Sequence, residues 1–458
     1  MHVQVSLKIE LEATASLTQM EQRIQEAGQQ AMREAMKQAV RHWEDQHPAC
    51  PHCGATQRRL EGTTRRVLAT QFGRVQVPRR RFRCQGCLRR CCPANTLFAK
   101  LEGGTISVPL QEAAMLAGCS WPYRVAANLL KRLSGAEISA EEIRLLTNRQ
   151  GKQRAEHQQA EAEQVCAAAA QEALSAQTAE AAQVPSAHHA EQPMLVGVDG
   201  GWVCSHEQRG GMEGKVAVVC SRVEDLPMPT DCTTFADWRH RAPRHPPRQR
   251  HRLAQRRYAA TFGPSKQIGQ QAKAAAQSLC GDPARPVVII ADGAEWIKKE
   301  QGKHFPHATC ILDWAHLWRE VRGAIYAAAR AKPLSARERD YQVLVHRSWL
   351  WHGNVDQAVQ GLSRLATGLP AEALKPLKEA MSYLEHQRPW IGSYEFWKAQ
   401  GYPVGSGMIE RAVALVINRR MKKRGMRWCR LNATAVVALR TDLLNDDWIT
   451  PQRLRAFP

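Results

Sequence analysis

Three carboxylates stand where they can act together in chemistry. Asp199 closes the apolar run 194–199 and Asp292 closes the apolar run 286–292, and each is followed by glycine. A carboxylate at the end of a buried strand lies at the edge of a parallel sheet, where open α/β folds bind ligands. Glu410 is predicted near the start of a helix. Three hard oxygen ligands suit Mg²⁺ or Mn²⁺, and two such ions can drive phosphodiester cleavage. The simpler alternative is that a strand-end aspartate caps the next turn or helix.

Two C-x-x-C motifs form a second candidate site. Cys50 and Cys53 make the first pair, and Cys84 and Cys87 make the second. Each pair can offer two thiolates from one tight turn, so the two pairs complete a tetrahedral zinc site. The segment 65–83 between them predicts a β-hairpin, which is the layout of a zinc ribbon. Free thiols are the alternative.

The composition indicates a polyanionic partner. The chain has 458 residues, with 64 Lys+Arg against 43 Asp+Glu and a net charge of +21. A surplus of this size favours DNA or RNA, although a soluble basic enzyme is the alternative. No apolar run reaches the roughly 18 residues of a membrane helix. Residues 1–12 do not resemble a signal peptide, so we expect a cytoplasmic protein with no membrane partner.

Basic stretches are candidates for contact with phosphates, and solvated basic faces are the alternative. The candidates are Arg79, Arg80 and Arg81 in the hairpin, Arg248, Arg250 and Arg252 in the segment 238–257, and Lys422, Lys423, Arg424, Arg427 and Trp428 in the segment 419–430.

The motifs must be positioned by a multidomain chain in which strands alternate with helices, as in α/β proteins. We predict strands at 3–11, 194–199, 215–223, 286–292 and 308–313, and helices at 16–43, 253–280 with a break at 263–264, and 314–331.

The predicted domains are an N-terminal strand and helix (1–48), a zinc-ribbon-like domain (49–100), a helical, helix-turn-helix-like DNA-binding region (101–150), an Ala/Gln-rich helix with a linker (151–193), the first part of a core (194–332), a helical insertion (333–400), and a core helix with Glu410 followed by a basic C-terminal region (401–458).

At these motifs the sequence resembles the DDE transposases of bacterial insertion sequences, of the ISKra (Kra-four) type, and more distantly Mutator-like proteins. The resemblance is carried by the segments 196–201, 290–297, 311–316, 404–410 and 420–428. It implies an RNase H-like catalytic core with an all-α insertion, in which Asp199, Asp292 and Glu410 form the carboxylate triad. It also implies a bacterial, nucleoid-associated protein. Asp313 and His316 look like the Asp/Cys-x-x-His signature of Mutator-like relatives. They would then serve the active site or touch DNA, and the alternative is a helix-start Asp beside a packed His.

The expected function is metal-dependent cleavage and strand transfer of DNA at the ends of an insertion sequence. The expected cofactors are two Mg²⁺ (or Mn²⁺) ions at the carboxylates and one structural Zn²⁺ at the four cysteines. The expected partners are double-stranded DNA, as terminal inverted repeats and target DNA, and further copies of the chain when DNA is bound. The alternative is a non-catalytic DNA-binding regulator derived from a transposase.

Overall fold

A computed structural model describes residues 2–99, 101, 105–178, 192–226, 250–279, 285–332 and 334–448. The chain is a mixed α/β protein in which helix predominates. It divides into two compact units, Met1–Gly151 with Asp446–Pro458, and Lys152–Asn445. None of the described helices combines the length and the apolar character needed to span a membrane.

The first unit is a small antiparallel sheet with helices. Its elements are α1 (Leu17–Gln46), β1 (Arg58–Thr70), β2 (Gly73–Cys84), β3 (Arg90–Cys91), α2 (Asn95–Phe98), α3 (Val108–Ser120), α4 (Tyr123–Ser134) and the first part of α5 (Ala140–Thr178). Ser16 caps α1 through a capping box with Gln19, which explains why the helix begins where the sequence predicts. The predicted hairpin between the cysteine pairs is confirmed, with β1 and β2 antiparallel around a turn at 71–72.

The strand predicted at 3–11 is wrong. These residues have no regular structure, and their apolar side chains include Leu7, 50% exposed, and Leu11, 44% exposed. The alternating pattern is present, but the sheet of this unit has the order β1-β2-β3 and offers the segment no partner among the described residues. A strand without a partner leaves its backbone groups unpaired, so alternation alone does not make one.

The second unit is built on a five-stranded sheet of order β6-β5-β4-β7-β8. After α5 come β4 (Met194–Val203), β5 (Met212–Leu226), β6 (Arg250–Thr261), α6 (Ser265–Leu279), β7 (Val287–Ala291), α7 (Glu295–His304), β8 (Thr309–Leu312) and α8 (Trp314–Ala331). The rest is helical: α9 (Ala336–Trp351), α10 (Val355–Ala366), α11 (Ala371–Gln387), α12 (Tyr394–Ala399), α13 (Gly407–Val413), a π-helical turn (Ala414–Asn418), α14 (Arg419–Met421) and α15 (Arg430–Leu444). The predicted helices at 314–331 and over most of 333–400 are confirmed.

The helix predicted from residue 253 is wrong in its first part. Residues 250–261 form β6, which pairs antiparallel with β5, and only Ser265–Leu279 is helical. The segment carries good helix formers, but pairing with the long edge of β5 outweighs that local preference. The sheet is also mixed, because β4, β5 and β6 are antiparallel while β4, β7 and β8 are parallel.

Both faces of the sheet are covered. Alternate residues of β5 point to opposite faces, so Ala217 and Val219 join one apolar cluster while Val216 and Val218 join the other. The first cluster includes side chains from α6, α8 and the helices 336–387, and the second includes α13 and α15. The helix that carries Glu410 is therefore fixed on one face of the sheet by apolar burial.

Candidate active site and nucleic-acid interface

Three aspartates lie at the same level on three neighbouring strands. In the parallel pair β4 and β7, Gly197 lies opposite Ile290, so Asp199 and Asp292 each follow two residues later. In the parallel pair β7 and β8, Ala291 lies opposite Leu312, so Asp292 and Asp313 each follow one residue later. The register thus brings Asp199, Asp292 and Asp313 to the carboxyl edge of the parallel strands. This is the edge at which open α/β sheets bind their ligands.

Asp199 differs in one respect from the prediction. It does not end its strand, because β4 continues to Val203 through pairing with β5. Only the parallel partner β7 stops, at Ala291. Asp199 is therefore still paired with β5 on one side, whereas on its other side the neighbouring strand β7 has already ended.

Two glycines bring α13 close to the face of β4 that carries Asp199. Gly197 and Gly201 share a strand face with Asp199 because side chains alternate along a strand. A Cβ atom at Gly197 would lie 2.9 Å from Ile409 Cβ, and one at Gly201 would lie 2.9 Å from Val413 Cγ1. The missing side chains therefore let the Glu410 helix pack directly over the aspartate.

The electrostatics of Asp199 indicate that these acids share one site. The pKa of Asp199 is raised to about 6, mainly by burial, and the charges of Asp292 and Glu410 contribute to that rise. The backbone N–H of Gly200, which donates to Asp199 Oδ1 at 2.6 Å, and the nearby charge of His316 act against that rise. A carboxylate that is destabilised by burial and by two like charges favours a nearby cation.

Asp313 is a fully buried helix cap that also connects to Glu410. Its carboxylate accepts hydrogen bonds from the backbone of Ala315 and His316, each at 3.2 Å, and it caps α8. Its Oδ2 also contacts His316 Nδ1 and accepts from Ser406 Oγ at 3.1 Å. Ser406 Oγ in turn lies 3.1 Å from Glu410 Oε1. One chain of contacts thus runs from His316 through Asp313 and Ser406 to Glu410.

The ionisation of this pair follows from those contacts. Burial alone would raise the pKa of Asp313, but hydrogen bonds from His316, Ala315 and Ser406 outweigh it and the net shift is downward. The hydrogen bond to Asp313 raises the pKa of His316 above its usual value. The arrangement therefore favours a charged histidine on a buried carboxylate. His316 keeps 30% of its side chain exposed, whereas Asp313 is 0% exposed.

The helical segment 333–400 holds the loop that carries Asp292. Gln387, at the end of α11, donates from Nε2 to the carbonyl of Gly293 at 2.9 Å. Gly293 has φ +81° and lies against the Gln387 side chain, so it has no room for a side chain of its own. Tyr383 lies on the same helix, and burial raises its pKa, with further contributions from the charges of Glu320 and Asp292. This helical segment therefore packs against the loop that carries Asp292.

The four cysteines form a cluster that can hold a metal ion. Their Sγ atoms all lie within 4.8 Å of one another, with 3.8 Å between Cys50 and Cys87 and 3.5 Å between Cys53 and Cys84. A tetrahedron with Zn–S bonds of about 2.3 Å has edges of about 3.8 Å, so the spacing fits zinc. A disulfide requires about 2.05 Å, and all four thiols are free.

The two cysteine turns are built alike. The fourth residue after the first cysteine of each turn has positive φ, at Gly54 (φ 76°) and at Leu88 (φ 58°). The backbone N–H of His52 is the main cause that lowers the pKa of Cys50 to about 6, and the N–H of Cys87 does most to lower that of Cys84. Thiolate is the form that binds metal, and the first cysteine of each turn is shifted toward that form, whereas the neighbouring thiols raise the pKa of Cys53.

The carboxylates do not form a comparable cage. Within the part of the chain that the structure describes, the cysteine cluster is the one group of three or more His, Cys, Asp or Glu residues whose ligand atoms lie within 4.8 Å of one another. The charges of Asp292 and Glu410 act on Asp199, but the three carboxylates do not meet that spacing. Repulsion between like charges keeps such groups apart unless a cation lies between them.

A loop after α14 presents four cations, which we call the cationic tip: Lys422, Lys423, Arg424 and Arg427. All four are exposed, and their side chains have no hydrogen bond or ion pair with any residue that the structure describes. The turn is closed by the Met426 N–H, which donates to the Lys423 carbonyl at 3.0 Å, and by Gly425 at φ 79°.

Trp428 anchors this loop. It is only 7% exposed, its Nε1 donates to the Met421 carbonyl at 3.2 Å, and the Arg420 guanidinium stacks over its ring at 5.0 Å. Its backbone bonds to Cys204 and His206, at 3.0 Å each. The predicted contact of Trp428 with DNA does not fit this burial, and the side chain supports the tip instead.

The other basic residues that were predicted to contact DNA differ in whether their side chains already have partners within the protein. Arg80 binds Glu44, whose side chain is 0% exposed, and Asp45, at 2.9 and 2.5 Å, so it ties α1 to β2 and is not free for DNA. Arg79 donates to Asn95 at 2.7 Å, and Arg81 is exposed with no partner among the described residues. Of the three arginines predicted in the segment 238–257, Arg252 contacts Glu224 at 3.2 Å. Arg248 and the side chain of Arg250 lie outside the described residues.

Several important residues were not singled out from the sequence. Ser406, Gly197 and Gln387 act through contacts with elements far away in the chain. The one available signal was the spacing of Ser406 and Glu410, four residues apart at a helix start, which places both on one face. No protein-family model matches this chain, and no curated protein matches it.

Proposed function

We propose that this protein is a DDE transposase of the ISKra type, which cleaves DNA at the ends of an insertion sequence and joins those ends to target DNA. The observation that carries the proposal is the register that aligns Asp199 and Asp292 at one sheet edge, beneath the helix of Glu410. A mixed sheet with helices on both faces and carboxylates at its edge is compatible with the RNase H-like core that the resemblance implies.

Asp199, Asp292 and Glu410 are the residues that would hold Mg²⁺ or Mn²⁺. The donor set fits hard cations, because all three side chains offer oxygen and the repulsion at Asp199 is relieved by added positive charge. When bound, such ions activate an attacking oxygen and stabilise a leaving oxygen.

Other side chains position these groups. Asp313 and Ser406 connect the end of β8 to the start of α13, so they fix the base of the Glu410 helix. His316 uses Nδ1 for Asp313, which leaves Nε2 to donate to a phosphate oxygen. Its raised pKa favours the cation, which is the form that binds a phosphate.

The cationic tip is a proposed site of contact with DNA phosphates. Its four side chains are exposed, and its anchor Trp428 is rigidly packed. Contacts with phosphates are independent of base sequence and release counterions, so they weaken steeply with salt. Replacing Lys422, Lys423 and Arg424 with Gln should lower the affinity for all duplexes and reduce the slope of log affinity against log salt. An unchanged slope would mean that the cationic tip is a solvated basic surface that does not contact phosphates.

Strand cleavage tests the proposal directly. Labelled DNA carrying the sequences that flank the gene, including a paired-end substrate, is incubated with Mg²⁺ or Mn²⁺ and the wild type or Glu410→Gln. The matched control is Glu372→Gln, because Glu372 is exposed on α11 and is not among the candidate site residues. We expect metal-dependent cuts with the wild type and the control, and none with Glu410→Gln.

Two outcomes would contradict the proposal. Cleavage that survives in Glu410→Gln would remove the third carboxylate from the site. Tight binding to the flanking DNA with no cleavage by any variant would favour a DNA-binding regulator instead.

A further inference from the structure

The first unit contains a polar cleft of about 410 Å³ where α1, the β1–β2 turn and the end of α4 meet. Its charged lining residues are Arg33, Arg74, Lys131, Arg132, Glu26 and Glu137. Four cations against two carboxylates leave a positive excess, which suits an anionic ligand.

The cations of the cleft are available. Arg33 uses Nη1 to hold the carbonyl of Phe72 at 2.9 Å, which fixes the turn and leaves its other donors. Arg74 contacts Glu137 at 3.2 Å, but both side chains are more than half exposed, so the pair is weak and can exchange for a phosphate. Lys131 and Arg132 have no partner among the described residues.

The same helix end continues into an exposed polar stripe. Along α4, Arg124, Asn128 and Lys131 follow the i, i+4, i+7 spacing that places side chains on one face. All three are exposed, and none has a side-chain partner within the described ranges. The opposite face is apolar, with Ala126 fully buried and Leu130 packed against the same cluster.

The neighbouring helices hold α4 rigidly from behind. A two-residue turn, Trp121-Pro122, separates α3 from α4. α3 is buried along most of its length, and a Cβ atom at Gly118 would lie 2.3 Å from Thr147 Oγ1 on α5. A buried helix, a short turn and a helix with an exposed polar face form the arrangement that places a helix in the major groove.

We propose that α4 enters the major groove of DNA, where Arg124 and Asn128 contact base edges, while the cleft holds a phosphate of the adjacent backbone. Arginine matches the acceptors of guanine and asparagine matches adenine, so these two side chains supply sequence preference. The cleft supplies affinity and register without preference, because phosphates carry no sequence information. The inference rests on the DNA-binding part of the proposed function and assigns specificity to named residues.

Selection and binding separate the two roles. Wild-type full-length protein selects duplexes from a randomised pool, and its affinity for the selected duplex and for a scrambled duplex is then measured over a range of salt. Asn128→Ala and Arg124→Ala should reduce the preference for the selected duplex on the order of tenfold, with little change in binding to the scrambled duplex. The double variant Arg74→Gln/Lys131→Gln should weaken binding to both duplexes equally and lower the salt slope by about one per lost phosphate contact.

Controls and outcomes keep this test independent of catalysis. Gln22→Ala and Lys8→Gln change exposed side chains that do not line the cleft or belong to α4, and they should behave as wild type. The inference is overturned if the α4 variants keep the wild-type preference, or if the cleft variant keeps its salt slope. A wild type that selects DNA but never cleaves it would contradict the proposed enzyme while leaving α4 in its role. If the protein cleaves DNA but the α4 variants keep the wild-type preference for the selected duplex, the proposed enzyme stands and the role of α4 is contradicted.

Discussion

Asp313 and Ser406 are joined by two hydrogen bonds, from the Ser406 backbone to Oδ1 and from Ser406 Oγ to Oδ2, each 3.1 Å long. Both residues are buried, and they connect the end of β8 to the start of α13. A hydroxyl has one proton, so Ser406 cannot donate to Asp313 and Glu410 at once. The state of Glu410 and the orientation of this hydroxyl are therefore coupled.

Ser406→Ala should separate positioning from folding. The change keeps the backbone bond to Asp313 and removes the hydroxyl, and hydrogen bonds to charged groups are worth about 1.5–3 kcal/mol. We expect a loss of that size in the free energy of unfolding, measured with urea, and reduced DNA cleavage with unchanged DNA binding. Ser393→Ala is the control, because Ser393 caps α12 and should cost about 1 kcal/mol without affecting cleavage. Full cleavage by Ser406→Ala would show that the hydroxyl does not position Glu410.

The His316–Asp313 contact should give stability that depends on pH. The pKa of His316 is raised in the folded state, so its contribution is fully present below the unfolded value of about 6.5 and is lost as pH rises through the folded value. Comparing wild type with His316→Gln by urea unfolding, we expect the wild type to be favoured more at about pH 6 than at about pH 9. The exposed His307, changed to Gln and measured over the same pH range, is the comparison variant. A difference that is constant with pH would mean that folding does not raise the pKa of His316 and that its contact with Asp313 gives no charge-dependent stability.

Gly197→Ala should displace the Glu410 helix. The new methyl group would lie 2.9 Å from both Ile409 Cβ and Met408 Cε, so α13 must shift. Overpacking of this kind costs roughly 1–3 kcal/mol, and DNA cleavage should fall with it. Gly323→Ala is the matched control, because a Cβ atom there meets nothing within 4 Å on α8 and alanine favours a helix by roughly 0.5–1 kcal/mol. Equal stability of the two variants would contradict the close packing of α13 on β4.

The cysteine cluster should bind one zinc ion per chain. Metal analysis of protein purified without chelator is expected to find zinc in the wild type and in Cys92→Ser, and to find it lost in Cys84→Ser. Loss of the ion should lower the thermal stability of the first unit, because structural zinc contributes directly to folding. Wild type that carries no zinc and forms a disulfide between these cysteines would sink this prediction.

The sequence predicted those features that depend on local spacing. The C-x-x-C pairs, the hairpin between them and the helix that begins after Asp313 are all set within a few residues, and the structure contains each of them. The features that were missed depend on distant partners. Leu253 and its neighbours form a strand because β5 offers an edge, and Val3 to Leu11 form none because no strand that the structure describes pairs with them. Gly197 gains its importance only when α13, more than 200 residues later, packs on it.

The cationic tip divides two tasks between different side chains. Trp428 and its contacts keep the loop in shape, while the side chains of Lys422, Lys423, Arg424 and Arg427 have no hydrogen bond or ion pair with any described residue. Mutations at these four positions can therefore raise or lower the attraction for a polyanion one charge at a time without threatening the fold. Substitutions in this loop can therefore adjust how long the protein stays bound to nucleic acid at a given ionic strength.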